Sequence, residues 1–247
     1  MDELTGALHP RGEAEGRVSV GADPLLMEQR LGHLVREARY RYPKVQISPR
    51  PTSTRSLAED VLRGELALAL VARAADAPAL PADLITEKLP PLTLAPVAAP
   101  SLANAAHLGE ALRPVRVLTV NAECTSHLPL VKALRSRYGI DAPVIEAGSV
   151  GGVRELARAG YGLAMLPPDA SLAGQHLQIV PTLPYAEIDV RLVYARPDHL
   201  GRAAQSVAEL IRRLPAPAGD EVHLAAVSPL TATLPGRTHG VSAGIAS

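Results

Sequence analysis

The stretch from Gly148 to Pro168, GSVGGVRELARAGYGLAMLPP, limits the choice of fold more than any other part of the chain. After its glycine-rich start, apolar residues recur at helical spacing from Val153 to Ala157, which predicts a short helix. Gly160 stands where the end of a helix favours a positive φ. Residues 163–166 are all apolar and predict a buried strand that ends at two prolines. A helix between a glycine-rich loop and a buried strand is typical of an α/β unit.

The rest of the chain repeats this alternation of strand and helix. Apolar segments at 17–22, 45–48 and 66–71 predict three strands, and amphipathic stretches between them predict two helices. The run LALALV at 66–71 fits a parallel strand that is covered on both faces. A strand at 115–120 and a helix after it continue the pattern. The sequence therefore predicts an α/β layered fold with right-handed crossovers.

Other segments give weaker patterns. Short strands are predicted at 84–85, 92–94, 177–180 and 188–194, and a final helix at 203–214. We expect residues 1–16 to be a leader or linker remnant. Residues 215–247 lack any periodicity and are expected to form a disordered tail, with an extra strand at Val222–Val227 as the alternative.

Composition excludes several classes of function. The chain has no Phe, no Trp and six Tyr, so its core must consist of Leu, Val, Ile and Ala, and platforms for stacking single-stranded nucleic acid are missing. A net charge of zero predicts no nucleic-acid footprint. One cysteine, Cys124, excludes an intramolecular disulfide and a CxxC site. The histidines show no metal-ligand spacing and no phosphate-binding glycine motif is present, so we expect neither metal nor cofactor.

The chain contains no apolar run long enough to span a membrane, and its first residues do not resemble a secretory signal. We therefore expect no membrane association and a cytoplasmic location.

Five segments in order resemble the effector-binding domain of LysR-type transcriptional regulators: GRVSVGADPLL, STRSLAEDVLRGELALAL, PLTLAPVAAP, NAECTSHLPLVKALRSRYGI and the glycine-rich stretch. The resemblance runs from Arg17 to about Leu214. It implies two Rossmann-like α/β lobes joined by two crossing strands, as in type 2 periplasmic binding proteins. It places lobe I at 17–94 and 192–214, lobe II at 95–191, and the ligand in the cleft between them. It also implies a homodimer that pairs through the helices of the first lobe.

The chain departs from this family's pattern at two places. Sixteen residues precede the first predicted strand, which is too few for a winged helix-turn-helix and its linker helix, so we expect no DNA binding by this chain alone. Ala67 stands where the family usually has an aspartate in its third strand.

Four segments are predicted to meet in the cleft, because each lies between the end of a strand and the start of a helix. Hydroxyl groups and free N–H groups at such positions suit a carboxylate or another small anion. Each hydroxyl also suits a simple N-cap, worth about 1 kcal/mol to its helix, and the two roles are compatible. The predicted ligand-binding residues are Ala22, Asp23, Thr52, Ser53, Thr54, Cys124, Thr125, Ser126, Gly148, Ser149 and Val150.

Two further interpretations compete with a ligand-sensing, non-enzymatic module. One is a solute-binding protein of the same fold, which the missing signal sequence disfavours. The other is a hydrolase that uses Cys124 as nucleophile and His127 as base, since a helix N-terminus lowers the pKa of a thiol. No third, orienting residue is recognisable for such an enzyme.

Overall fold

The computed structural model describes residues 14–73, 79–104, 115–168, 172, 176–196 and 200–215. Most of the predicted leader, 1–13, and the tail at 216–247, with its alternative strand at Val222–Val227, lie outside these residues. The described strands are β1 (Gly16–Ala22), β2 (Val45–Pro51), β3 (Leu68–Arg73), β4 (Ile85–Ala98), β5 (Val117–Thr119), β6 (Val144–Glu146), β7 (Leu163–Leu166), β8 (Gln178–Ile179) and β9 (Ala186–Tyr194). The helices are α1 (Pro24–Arg41), α2 (Thr54–Leu62), α3 (Pro100–Ala103), α4 (Leu128–Tyr138), α5 (Val150–Arg158) and α6 (Arg202–Arg212), with a 3₁₀ turn at Thr125–His127.

The strands run in the order β2-β1-β3-β9-β4-β7-β5-β6, and β8 pairs with β4. Two groups of parallel strands, β2-β1-β3 and β7-β5-β6, flank the central pair. The central strands β4 and β9 are antiparallel to each other. This is the predicted arrangement of two α/β lobes joined by two crossing strands. The predicted lobe boundary at 191/192 falls inside β9, and the exact bounds of the lobes stay a prediction.

The core consists mainly of Leu, Val, Ile and Ala side chains, as the composition predicts, together with Cys124, Met165 and Tyr194. The predicted strand LALALV is observed as β3, whose first five residues are buried. It runs parallel to β1, as expected, but antiparallel to β9. α1 places Leu26 and Leu34 against the sheet, and neither is exposed to solvent. Gly160 has a φ of +74° after α5, as expected for a helix end.

The prediction of separate strands at 84–85 and 92–94 is wrong, because one strand of 14 residues, β4, covers both. The sequence suggested a break because Pro90 and Pro91 interrupt the apolar pattern. In the structure these prolines lie at a shift in register between Leu89 and Leu92. The regular strand hydrogen bonds are interrupted at such a shift, so the missing N–H groups of the prolines break no regular pair. The strand then continues through Pro96, which pairs with Met165.

Candidate functional site

Asp23 lies at the end of β1 and begins α1. Its Oδ1 accepts a hydrogen bond of 3.0 Å from the Leu25 N–H, and Pro24 occupies the first turn, so the predicted helix start is observed. The Asp23 N–H donates to the carbonyl of Leu70 in β3 at 3.3 Å. The residue is only 2% exposed. The fold therefore holds a buried carboxyl group where β1 and β3 end.

The Thr52–Thr54 segment joins this site through its backbone, while the hydroxyl groups of Ser53 and Thr54 have local partners. The Thr52 N–H donates to the Ala22 carbonyl at 3.2 Å. Ser53 caps α2 by accepting from the Ser56 N–H at 3.3 Å. The Thr54 hydroxyl donates to the Ala72 carbonyl at 2.9 Å. These hydroxyl groups thus have the capping and packing roles that were the alternative to ligand contact.

The Cys124–Ser126 segment differs from the expected helix start. β5 ends at Thr119, three residues form a 3₁₀ turn from Thr125 to His127, and α4 begins only at Leu128. The hydroxyl groups of Thr125 and Ser126 therefore belong to the 3₁₀ turn and lie before the first turn of α4. The physical reason is Pro129 near the start of α4, which fixes the first helical turn after the hydroxyl groups.

The 3₁₀ turn buries several polar atoms. Thr125 Oγ1 and His127 Nδ1 are buried and have no hydrogen-bond partner among the residues that the structure describes. Ser126 Oγ lies 3.1 Å from Cys124 Sγ. A buried hydroxyl without a hydrogen-bond partner lowers the stability of the protein, so a ligand or water that bonds to Thr125 Oγ1 would remove this penalty.

The Gly148–Val150 segment begins α5. Gly148 has a φ of +74°, and its N–H donates to the Val120 carbonyl at 2.9 Å, which fixes the loop to the end of β5. Ser149 is exposed and caps α5 by accepting from the Gly152 N–H at 3.0 Å. Val150 is buried. A Cβ on Gly152 would come within 2.4 Å of the Ala147 carbonyl oxygen, so this tight start requires glycine.

The structure brings part of the predicted set together across the two lobes. The Cys124 thiol donates to Asp23 Oδ2 at 3.8 Å and also contacts Ser126. We call Asp23, Cys124, Thr125 and Ser126 the junction cluster. Ala22 and Thr52 join it through the backbone. The hydroxyl groups of Ser53, Thr54 and Ser149 make the local bonds given above, and within the described residues none of those bonds reaches the cluster.

Burial controls the ionisation of the cluster. Desolvation raises the pKa of the Asp23 carboxyl group, although the Leu25 N–H opposes this. Desolvation and then the nearby Asp23 charge raise the pKa of the Cys124 thiol. The expectation that a helix N-terminus would lower this pKa is therefore wrong. Desolvation also lowers the pKa of His127. The Cys124 thiol contacts Asp23 Oδ2 and Ser126 Oγ, and among the described residues no hydrogen bond joins it to the His127 ring.

Two contacts between α1 and other elements were missed by the sequence interpretation. Arg154 Nη1 in α5 and Glu28 Oε2 in α1 form an ion pair of 2.7 Å between the lobes. Arg30, which is 2% exposed, donates to the Pro90 carbonyl at 2.8 Å and thereby links α1 to β4. Arg30 lies on the apolar face between Leu26 and Leu34, and a charged residue at that spacing was an available signal. No feature of the sequence predicts the ion pair between Glu28 and Arg154.

The family model for the LysR substrate binding domain matches residues 11–216. The chain belongs to this family. No curated protein matches the sequence. A LysR substrate-binding domain is the ligand-sensing module of a LysR-type regulator, which agrees with the function that the sequence implied.

Solved regulatory domains share the fold at low sequence identity. The sulfate-bound regulatory domain of an OxyR2 variant from Vibrio vulnificus is 19% identical, with a TM-score of 0.65 over 80% of this chain and 95% of that one. ArgP from Mycobacterium tuberculosis is 18% identical, with a TM-score of 0.65 over 84% of this chain and 68% of that one. A full-length OxyR variant from Pseudomonas aeruginosa is 20% identical, with a TM-score of 0.63 over 80% and 70%. At these identities the likeness establishes the fold alone.

Among the described residues, no helix is long and apolar enough to cross a bilayer. The same part of the chain holds no group of three His, Cys, Asp or Glu side chains that could hold a metal ion.

Proposed function

We propose that this ligand-sensing module binds a small carboxylate or similar anion between its lobes, with Thr125 as the central contact. The observation that carries the proposal is the Thr125 hydroxyl, which is buried at the lobe junction without a partner among the described residues. The compartment that fits such a regulator module is the cytoplasm. The similar OxyR2 domain is described as sulfate-bound, which supports anion binding in this fold.

Binding at this junction would transmit a signal because the contacts come from both lobes. Asp23 and Thr52 belong to the β1–β2 side, whereas Cys124, Thr125 and Ser149 belong to the β5–β7 side. A ligand that contacts both sides changes the balance between open and closed lobes through its different affinities for the two states. That change is what an attached DNA-binding part would read.

The test is a thermal-shift screen of small carboxylates on residues 1–247, repeated on the Thr125→Val and Ser126→Ala variants. Loss of one hydrogen bond to a charged group should weaken binding by about tenfold or more. Thr125→Val keeps the shape of the side chain, so a weaker shift reports the hydroxyl. If the shift is unchanged in both variants, the ligand binds elsewhere and the assignment is wrong.

We also propose that two copies pair through α1. An open depression on the outer side of this helix is lined by Gly32, Val35, Arg36, Arg39 and Tyr40. The Tyr40 side chain is 79% exposed, which is high for a large aromatic residue. Sedimentation over a range of concentrations should show a dimer that Tyr40→Glu weakens. A monomeric mass at high concentration would contradict the pairing.

A further inference from the structure

The Asp23 carboxyl group lies beside the proposed anion site, although both groups carry negative charge when ionised. A carboxylate close to the bound anion repels it, and the repulsion is stronger where water is excluded. Asp23 is almost fully buried and contacts Cys124, the neighbour of Thr125. We therefore expect the effector to carry a hydrogen-bond donor or a positive charge that compensates the Asp23 carboxylate.

The two oxygens of Asp23 differ in their partners. Oδ1 accepts the 3.0 Å bond from the Leu25 N–H and caps α1. Oδ2 receives the Cys124 thiol at 3.8 Å, and a thiol is a weak donor. Oδ2 is therefore the oxygen that contacts the opposite lobe, and its partner there is a weak donor that a stronger donor could replace.

The facing lobe supplies an independent observation. Thr125 Oγ1, one residue from Cys124, is buried and lacks a partner among the described residues. A carboxylate acceptor on one lobe and a free hydroxyl on the other can together hold a ligand with a donor at one end and an acceptor at the other.

We propose that the effector is a small zwitterion of the amino-acid class, whose ammonium group binds Asp23 Oδ2 and whose carboxylate binds Thr125. This inference rests on the proposed function and adds the ligand's second charge. The ammonium donates to Asp23 in place of the thiol, so the Cys124–Asp23 contact is exchanged for a charge-assisted hydrogen bond.

The energetics favour this exchange. Burial of the carboxyl group raises the pKa of Asp23, and the hydrogen bonds from the Leu25 N–H, the Cys124 thiol and the Leu26 N–H only partly oppose this rise. An ammonium group beside a carboxylate offsets the desolvation of both groups when their hydrogen bonds are satisfied. A ligand with only a carboxylate lacks this compensation.

The experiment compares matched ligands on matched variants. Thermal shift and calorimetry are run with the common amino acids, and each one that binds is compared with its 2-hydroxy acid and with its decarboxylated amine. The variants are Asp23→Asn, which keeps an N-cap acceptor for the Leu25 N–H, and Asp141→Asn, an exposed control. Asp23→Ser is a second capping variant for use if Asp23→Asn folds poorly.

We expect the wild-type protein to bind the amino acid at least about tenfold more tightly than its 2-hydroxy acid. Asp23→Asn should lose this preference and Asp141→Asn should keep it. Equal binding of both ligands by the wild type, or a preference that survives in Asp23→Asn, would overturn the inference, as would the absence of any amino-acid shift. Binding of a hydroxy acid that depends on Thr125 and not on Asp23 would leave the proposed function standing and remove only this inference.

Discussion

The ion pair between Glu28 and Arg154 joins α1 to α5 and is expected to stabilise the contact between the lobes. Its N–O distance is 2.7 Å, and the side chains are 38% and 16% exposed, respectively. Fully exposed pairs contribute about 0–1 kcal/mol, whereas breaking a fully buried pair costs about 3–5 kcal/mol. A pair of intermediate burial should therefore have a coupling energy of about 1–2 kcal/mol.

A double-mutant cycle measures this coupling. The free energy of unfolding is determined in urea for the wild type, Glu28→Gln, Arg154→Met and the double variant. The matched control is the pair Arg135–Asp141, with an N–O distance of 2.5 Å and side chains 70% and 73% exposed. Added salt should reduce the control coupling more than that of Glu28–Arg154. If the coupling energy of Glu28–Arg154 is no larger than that of Arg135–Asp141, partial burial does not strengthen this ion pair and the reasoning is refuted.

Three further predictions concern the core, an ion pair and DNA. Leu26→Ala should lower the free energy of unfolding by about 2–5 kcal/mol because Leu26 is fully buried, whereas Leu62→Ala, at a side chain 46% exposed, should change it by less than about 1 kcal/mol. The hydrogen bond from Arg212 lowers the pKa of Glu87, so the stabilisation that this carboxylate gives is present above its ordinary pKa and is lost as the pH falls through the lowered pKa. In urea titrations Glu87→Gln should be less stable than the wild type at neutral pH, and the difference should shrink as the pH falls below the ordinary pKa of glutamate. Residues 1–247 should give no sequence-selective, salt-resistant shift of duplex DNA in gel-shift assays, and such a shift would contradict the expectation drawn from zero net charge.

The sequence predicted the fold where local chemistry and burial agree. Asp23, Pro24 and the apolar face of α1 each favour the same helix, which begins at Pro24. The run LALALV carries one unbroken apolar signal and became β3, shifted by two residues. β4 was missed as a single strand because Pro90 and Pro91 normally end strands, and only pairing with β9 on both sides of the register shift shows why they are tolerated.

The candidate site was less predictable because its key features depend on tertiary contacts. Sequence spacing placed Thr125 and Asp23 at the ends of strands, but a separation of 101 residues between Asp23 and Cys124 carries no local signal for their contact. The raised pKa of the Cys124 thiol follows from burial, which competes with the expected effect of a helix start. The Glu28–Arg154 pair likewise spans 126 residues and depends on how the lobes meet.

The position of β9 has a consequence for synthesis of the chain. Among the strands in the described part of the chain it is the last one made, yet it lies between β3 and β4 in the middle of the sheet. Until residues 186–194 have left the ribosome, one side of β3 and one side of β4 have no strand to pair with. Chains begin to fold during synthesis, and unpaired strand edges favour aggregation. The nascent protein therefore carries two open edges from the completion of β4 at Ala98 until β9 has emerged, and β9 then closes both.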